Sequence, residues 1–94
     1  IMHTEIEDVD DCLDTLEQCW NGLTGVYAHS GTFKNSKSDT DVKNTDWTFE
    51  NVITPELYAE YAKNWVSRGI NLIGGCCGIS TEHMRTMAQD MGYC

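Results

Sequence analysis

The sequence predicts an α/β fold with parallel strands, and two observations lead to that class. Segments with helical periodicity alternate with short strand segments, in the order helix, strand, helix, strand, helix, and strands that alternate with helices pair in parallel. The segment 70–73 is apolar throughout, which is typical of a strand buried on both faces. Two strands cannot bury each other in this way. We therefore expect the chain to be the end of a larger α/β protein, as its first residue, Ile1, also suggests.

The first predicted element is a helix from Glu5 to Trp20. Its apolar residues recur at the helical period on one stripe, and they are Val9, Leu13, Leu16 and Trp20. Asn21-Gly22 is the predicted C-cap, and the acidic residues of the helix are expected on a solvated outer face. Cys12 and Cys19 lie on or beside the apolar stripe, so we interpret them as small buried hydrophobic residues.

A short strand is predicted next, from Leu23 to His29, and a long polar loop follows it over residues 32–51. Loops of that length are usually functional or mobile. Trp47 and Phe49 interrupt the polar composition. We expect these two aromatic residues to anchor the far end of the loop to the body of the protein.

The second half of the chain carries two further predicted helices and one strand. Thr54-Pro55-Glu56 is typical of a helix start, and Gly69 is expected to end that helix. Its predicted buried stripe is Leu57, Tyr61 and Trp65, with Tyr58 and Ala62 beside it. The strand 70–73 then leads into the run 74–78. Ser80 or Thr81 caps the last helix, whose apolar stripe is Met84, Met87, Ala88 and Met91.

Charge and cysteine content exclude several classes of function. The formal net charge is −9 with six Lys and Arg residues, which argues against nucleic acid or anionic membranes as partners. The sequence has no apolar run of the roughly 20 residues that a membrane helix needs. Five cysteines, an odd number with one adjacent pair, do not suggest a secreted disulfide framework. A reduced, cytoplasmic setting is the prediction.

The adjacent pair Cys76-Cys77 is the predicted chemical centre of the chain. It lies in the run Gly74-Gly75-Cys76-Cys77-Gly78, directly after the last strand. Neighbouring side chains on a strand point to opposite faces, so both thiolates reach one metal only where the backbone turns, and glycine allows such turns. Soft sulfur ligands favour Zn²⁺. The N-terminus of the following helix is expected to lower the thiol pKa values. The competing interpretation is a tightly packed turn with two incidental thiols.

Two ligands do not complete a catalytic zinc site, which typically has three protein ligands and one open position. A thiol substrate entering the open position would bind as its thiolate. In that mechanism the metal activates the substrate, and neither cysteine acts as a covalent nucleophile.

The motif, together with the segments before it, resembles the homocysteine S-methyltransferase family, which includes betaine–homocysteine methyltransferase. The resemblance rests on 74–78 followed by Ser80-Thr81-Glu82-His83, and on the upstream segment 25–31, Gly-Val-Tyr-Ala-His-Ser-Gly. Trp47, the segment 53–56, Trp65 and Gly69 follow in the family's order. The polar loop over 32–45 is the part least similar to the family.

The resemblance implies that residues 1–94 form the C-terminal portion of a (β/α)8 TIM barrel: helix 6, strand 7, helix 7, strand 8 and helix 8. It implies transfer of a methyl group to the thiol of homocysteine, or of a related thiol, in methionine biosynthesis. Cys76 and Cys77 would be two of the family's three zinc-binding cysteines. The remainder of the barrel, in the same chain or a partner chain, would supply most contacts to the methyl donor, so the isolated segment is expected to be weakly active or inactive.

Histidines mark two departures from the family's pattern. The family's third cysteine ends strand 6, and the matching place is at or just before residues 1–4, where there is no cysteine. Either the ligand lies upstream, or His3 replaces it, or His3 merely lines the barrel mouth. His29 stands where many members have Asn, and it either faces the substrate or is a hydrogen-bonded residue at a strand end. Glu82 and His83 suit helix capping and support of the site better than catalysis.

Two other functions remain open at this point. Loss of the third cysteine could leave a metal-poor, non-catalytic barrel homologue that binds a ligand or a partner. A self-contained structural zinc module is the third alternative, although such sites usually have four ligands. The sequence does not identify the methyl donor, the oligomeric state or a role for Cys94.

Overall fold

The structure, a computed structural model, describes residues 1–34 and 48–93. Most of the polar loop, the predicted anchor Trp47 and Cys94 lie outside these ranges. The elements in chain order are β1 (Met2–Glu5), a 3₁₀ turn (Ile6–Asp8), α1 (Val9–Glu17), β2 (Gly25–His29), β3 (Thr32–Lys34), β4 (Thr48–Glu50), α2 (Pro55–Ser67), β5 (Leu72–Gly75) and α3 (Thr81–Asp90). The predicted mixed α/β class is confirmed.

Three parallel strands form the main sheet in the order β1-β2-β5. The prediction of two strands is therefore wrong. β1 was missed because its four residues run directly into the 3₁₀ turn, and Glu5, the predicted start of the first helix, pairs instead with His29 on β2. β5 lies two residues later than predicted, over Leu72–Gly75.

Helix α1 is shorter than the sequence pattern suggested. Val9 and Leu13 are buried as expected, but the helix ends at Glu17 and Trp20 is 55% exposed. The Trp20 indole N–H instead donates to the carbonyl of Leu23 in a turn. Cys19 also lies beyond the helix and is exposed, so its predicted burial is wrong, whereas Cys12 is half-buried.

An arginine on the next helix pairs with acidic residues of α1. The guanidinium of Arg68 lies 3.1 Å from Asp10, 2.6 Å from Asp14 and 3.2 Å from Glu17, measured to a carboxylate oxygen in each case. The hydrogen bond with Asp14 is the main reason why the pKa of Arg68 is raised. The acidic face of α1 is therefore exposed to solvent only in part, and its ion pairs with Arg68 join α1 to the end of α2.

Helix α2 begins and ends where the sequence predicted. The Thr54 hydroxyl accepts from the Leu57 N–H at 3.2 Å, with Pro55 as the first helical residue. Gly69 follows the C-cap with φ of +93°. The buried face is turned by one position from the prediction, since Leu57 is half exposed. The buried residues of the helix are Tyr58, Ala59, Ala62 and Trp65.

All three helices cover the same face of the sheet. Residues of α1 and α2 form one core cluster with Val26 and Ala28 of β2, and the methionines of α3 pack against it. Residues opposite one another in a parallel pair share a face, so Tyr27 and its partners Met2 and Gly74 lie on the other face. Among the described residues that face is open: Met2 and Leu72 are each 56% exposed. The expected burial of the last strand on both faces is not seen in this part of the chain.

The two ends of the predicted loop pair with each other. β3 and β4 form an antiparallel hairpin, with Thr32 opposite Glu50. The Phe49 ring meets the ring of His29 edge-on, with centroids 5.8 Å apart. This contact ties the returning end of the loop to the end of β2, as expected for Phe49. No helix within the described ranges is long and apolar enough to span a membrane.

Candidate metal centre

Main-chain hydrogen bonds hold the cysteine turn at the carboxyl end of β5. The Cys76 N–H donates to the carbonyl of Ala28 at 3.0 Å, and the Ser30 N–H donates to the carbonyl of Cys77 at 3.1 Å. The pairing of β2 with β5 therefore continues past the last strand residue, Gly75. Both cysteines are fixed through their backbones, and their side chains need not hold the turn together.

Gly78 allows the turn to pass close to β2. Its φ is +83°, and a Cβ atom there would lie 1.9 Å from the Ser30 carbonyl oxygen. A side chain at this position would clash with the main chain and would also strain the backbone. The sequence prediction that the glycines are needed for the turn has a direct physical reason here.

The two sulfur atoms lie on the same side of the turn. Cys76 Sγ and Cys77 Sγ are 4.0 Å apart. Two sulfurs bound to one tetrahedral zinc at about 2.3 Å would be separated by roughly 3.8 Å. Cys77 is exposed and Cys76 is partly exposed, so both sulfurs are accessible. This pair fits the spacing of two ligands on one soft metal ion.

The electrostatics of the pair differ from the sequence prediction. The pKa of the Cys77 thiol is raised, chiefly by its hydrogen bond with the Cys76 sulfur, with smaller contributions from burial and from the charge of Cys76. The sequence instead predicts thiol pKa values lowered by the N-terminus of α3. The Cys76 sulfur that raises the pKa of Cys77 lies 4.0 Å from the Cys77 sulfur.

The His3 side chain reaches the cysteine turn from β1, the strand at the opposite edge of the sheet. Its Nδ1 atom lies 3.0 Å from Cys76 Sγ, although β2 lies between β1 and β5. Among residues 1–34 and 48–93, however, no three His, Cys, Asp or Glu side chains are already arranged as a metal site. The geometry thus joins His3 to Cys76 and Cys76 to Cys77, in a chain rather than a closed triangle.

Of the two roles predicted for His29, the structure shows the hydrogen-bonded residue at a strand end. Its Nε2 lies 2.7 Å from the carbonyl of Gly31 and 3.4 Å from the Glu5 carboxylate. Glu5 was not singled out in the sequence, because it was assigned to a helix. The register of β1 with β2, which sets Glu5 opposite His29, is the signal that sequence reasoning lacked.

His83 connects α3 to the segment before α2. Its Nδ1 accepts from the Ser80 N–H at 3.1 Å, so the proton is on Nε2, which donates to the carbonyl of Ile53 at 2.6 Å. The ring is buried, with 6% exposed. The predicted capping role is correct for His83, whereas Glu82 pairs with Arg85 on the surface.

Tyr58 supports the strand that leads into the turn. Its hydroxyl donates to the carbonyl of Gly74 at 2.6 Å, and the side chain is fully buried. Burial is the main reason why its pKa is raised to about 12, so the hydroxyl keeps its proton and remains a donor at neutral pH. The sequence pattern placed Tyr58 only beside the buried stripe and gave no signal for this bond.

Comparison with known proteins adds one finding. The family model described as Homocysteine S-methyltransferase matches residues 3–91. This range includes the whole cysteine turn and all three parallel strands apart from Met2. No match was found among solved structures.

Proposed function

The chain belongs to the homocysteine S-methyltransferase family, and from that premise we propose that it acts in zinc-dependent methyl transfer to the thiol of homocysteine, which yields methionine. The observation that carries this proposal is the pair of accessible sulfurs, 4.0 Å apart on a turn fixed by main-chain hydrogen bonds. The family match gives methyl transfer of this type. Zinc, the thiol substrate and the cytoplasmic setting are part of the proposal.

We further propose that residues 1–94 are the C-terminal part of a (β/α)8 barrel, with β1, β2 and β5 as strands 6, 7 and 8. Successive parallel strands are neighbours in the sheet, and all helices lie on one side of it. The open face carries Met2 and Leu72, which suits the packed interior of a barrel. The cysteine turn follows the carboxyl end of a strand, where barrel active sites form.

Cys76 and Cys77 would hold the zinc ion, and their spacing and soft sulfur atoms fit it. When bound, zinc would favour the thiolate form of an incoming thiol at neutral pH. The substrate sulfur then attacks the methyl carbon of the donor. A carbon–sulfur bond forms as the bond from carbon to the donor heteroatom breaks, and the electron pair leaves with the donor.

The protein's own contribution is to keep the two sulfurs in place throughout this exchange. The turn is held by the Cys76 and Ser30 amides, and the strand before it is held by the Tyr58 hydroxyl. Because these bonds do not involve the thiols, binding of a metal or a substrate to the sulfurs does not require any of them to break. Groups fixed in this way lose little energy to reorganisation during catalysis.

The test compares Cys76→Ser and Cys77→Ser with Cys19→Ser, a matched change at an exposed thiol outside the turn. We expect the wild-type protein and the Cys19 variant to bind one zinc ion per chain, and each turn variant to lose it. Zinc content is measured by atomic absorption after gel filtration. Zinc retained by both turn variants would refute the site.

Activity is measured as methionine formed from homocysteine with each of several donors: S-adenosylmethionine, S-methylmethionine, betaine and methylcobalamin. We expect activity in the complete barrel and little or none from residues 1–94 alone. Stoichiometric zinc binding without methyl transfer by the complete barrel would favour the non-catalytic binding protein instead.

A further inference from the structure

We propose that His3 is the third protein ligand of the metal centre, which makes the donor set one imidazole nitrogen and two thiolates. This inference rests on the function proposed above and adds a residue to its site. A catalytic zinc centre usually has three protein ligands and an open position. Cys76 and Cys77 account for two of them.

The backbone at His3 is the first observation that supports the proposal. The register of β1 with β2 shifts between Met2 and Thr4, which places His3 in a bulge. Its φ is +57°, in the left-handed region, which is sterically unfavourable for a non-glycine residue. Bulges of this kind redirect a side chain and are common beside active sites. The irregularity aims the imidazole along the sheet, toward the cysteine turn.

The reach of the side chain is the second observation. β1 and β5 are separated by β2, so their backbones are roughly 10 Å apart. The His3 and Cys76 side chains together bridge that distance, and His3 Nδ1 lies 3.0 Å from Cys76 Sγ. His3 is exposed, so no packing forces the ring into this position. The contact with the sulfur is the interaction that holds the ring there.

The chemistry of the contact fits a metal ligand. At 3.0 Å the nitrogen and the sulfur share a proton, whereas two such donors on one zinc ion lie roughly 3.5 Å apart. A metal that replaces the shared proton therefore changes the separation of His3 and Cys76 by only about half an ångström, which an exposed side chain makes by rotation. The three donors are not yet grouped as a metal site among the described residues, so metal binding also requires the exposed His3 and Cys77 side chains to rotate toward each other.

Within residues 1–34 and 48–93, the neighbouring groups leave this role to His3. The Glu5 carboxylate lies 3.4 Å from His29, and the His29 ring contacts the Gly31 carbonyl and Phe49. The His83 ring is buried and is hydrogen-bonded to Ser80 and Ile53. The imidazoles of His29 and His83 are thus both already engaged. His3 has its sulfur contact, and its second ring nitrogen has no partner among the described residues.

The experiment counts thiolates on Co²⁺ bound in place of zinc, in the wild-type protein and in His3→Cys. Intensity of the sulfur-to-cobalt charge-transfer absorption grows with the number of thiolate ligands. We expect His3→Cys to increase it by about half, because three thiolates replace two. An unchanged intensity would overturn the assignment of His3.

A second variant keeps the test decisive if His3→Cys does not fold. In His3→Asn the new residue, asparagine, also tolerates the left-handed backbone, but the imidazole is removed. The Co²⁺ protein should show one solvent-exchangeable imidazole N–H resonance shifted by the paramagnetic metal, and His3→Asn should lose it. Persistence of that resonance in His3→Asn would contradict the proposal.

The same measurements separate this inference from the proposed function. If the wild-type protein binds metal, the cysteine variants lose it and the His3 variants leave the spectra unchanged, then His3 is not a ligand and the two-cysteine site stands. If the wild-type protein binds no zinc or Co²⁺, the metal-dependent function itself fails, and His3 falls with it.

Discussion

Two glycines with similar backbone conformations have very different surroundings. Gly78 has φ of +83° and lies against the Ser30 carbonyl, whereas Gly69 has φ of +93° and would place a Cβ atom in open space. The pair separates the cost of a left-handed backbone from the cost of a steric clash. It also tests whether the cysteine turn depends on its close approach to β2.

Gly78→Ala is expected to destabilise the protein more than Gly69→Ala. Gly69→Ala should cost about 1–2 kcal/mol from backbone strain alone. Gly78→Ala adds the clash with the Ser30 oxygen and should cost at least about 3 kcal/mol in all. Urea denaturation measures both values. Equal losses would mean that the turn moves away from β2 at no cost.

His83, itself buried, hydrogen-bonds two main-chain groups in partly buried contacts. His83→Ala should lower the free energy of unfolding by about 2–3 kcal/mol, since the Ser80 N–H and the Ile53 carbonyl lose their partner. Glu82→Ala, in the same helical turn but exposed, should change it by less than about 0.5 kcal/mol. Thermal and urea unfolding of both variants provide the comparison, and a similar effect of the two changes would contradict the capping role.

At the scale of elements, one hydroxyl joins helix α2 to strand β5. Tyr58 lies on the buried face of the helix and bonds the carbonyl of Gly74, two residues before Cys76. The packing of the helix therefore fixes the position of the strand end. Any condition that ionises Tyr58 should weaken this connection.

Stability is expected to fall at alkaline pH through Tyr58. Its pKa is about 12 in the folded protein and about 10 in the unfolded chain. Above pH 10 the unfolded chain therefore binds fewer protons, so stability is complete below pH 10 and is lost as pH rises through 12. The loss should be about 1.4 kcal/mol by about pH 11.

Tyr58→Phe is the control for this pH dependence. It should cost about 1 kcal/mol at neutral pH through the lost hydrogen bond, but the alkaline decline relative to wild type should disappear. The free energy of unfolding in urea, measured from pH 8 to pH 11, checks both expectations. Parallel pH curves for the two proteins would show that Tyr58 is not the group responsible.

The elements that could be predicted from the sequence are those with strong local signals. Thr54, Pro55 and Gly69 marked α2 within a residue, and the Ser80 cap of α3 was among the two candidates. β1 has no such signal: its hydrogen-bonded pairing depends on β2, a partner more than 20 residues away. Helix α1 was overextended because Trp20 continued the period, although the chain had already left the helix at Gln18.

The same contrast between local and long-range information applies to the candidate site. Cys76 and Cys77 could be predicted as a pair because the glycines around them are adjacent in sequence. The contact of His3 with Cys76 joins residues 73 positions apart. It depends on the strand order and on a bulge, so sequence reasoning left the role of His3 open.

At the scale of the whole molecule, the metal is not expected to be needed for folding. The cysteine turn is held by the main chain, and the core cluster consists of hydrophobic side chains and includes neither Cys76 nor Cys77. Removal of zinc with a chelator should leave the far-UV circular dichroism spectrum unchanged.

Zinc should still stabilise the folded state by mass action. At a free concentration of one hundred times Kd, the gain is about 2.7 kcal/mol, and Cys76→Ser should show no such gain. Urea unfolding with and without zinc measures this difference. Unfolding on chelation would instead support the structural zinc module.

The open face and the outer strands of the sheet have a consequence for solution behaviour. In the described part of the chain, β1 and β5 each have one neighbour, and unpaired strand edges recruit other strands. The net charge of −9 opposes such contacts, but salt screens it over about 8 Å at physiological ionic strength. Residues 1–94 alone should therefore be colloidally stable at low salt and self-associate as salt is raised. Light scattering in a salt titration should show this, and the (β/α)8 barrel proposed above, in which the edges would be closed, should not respond.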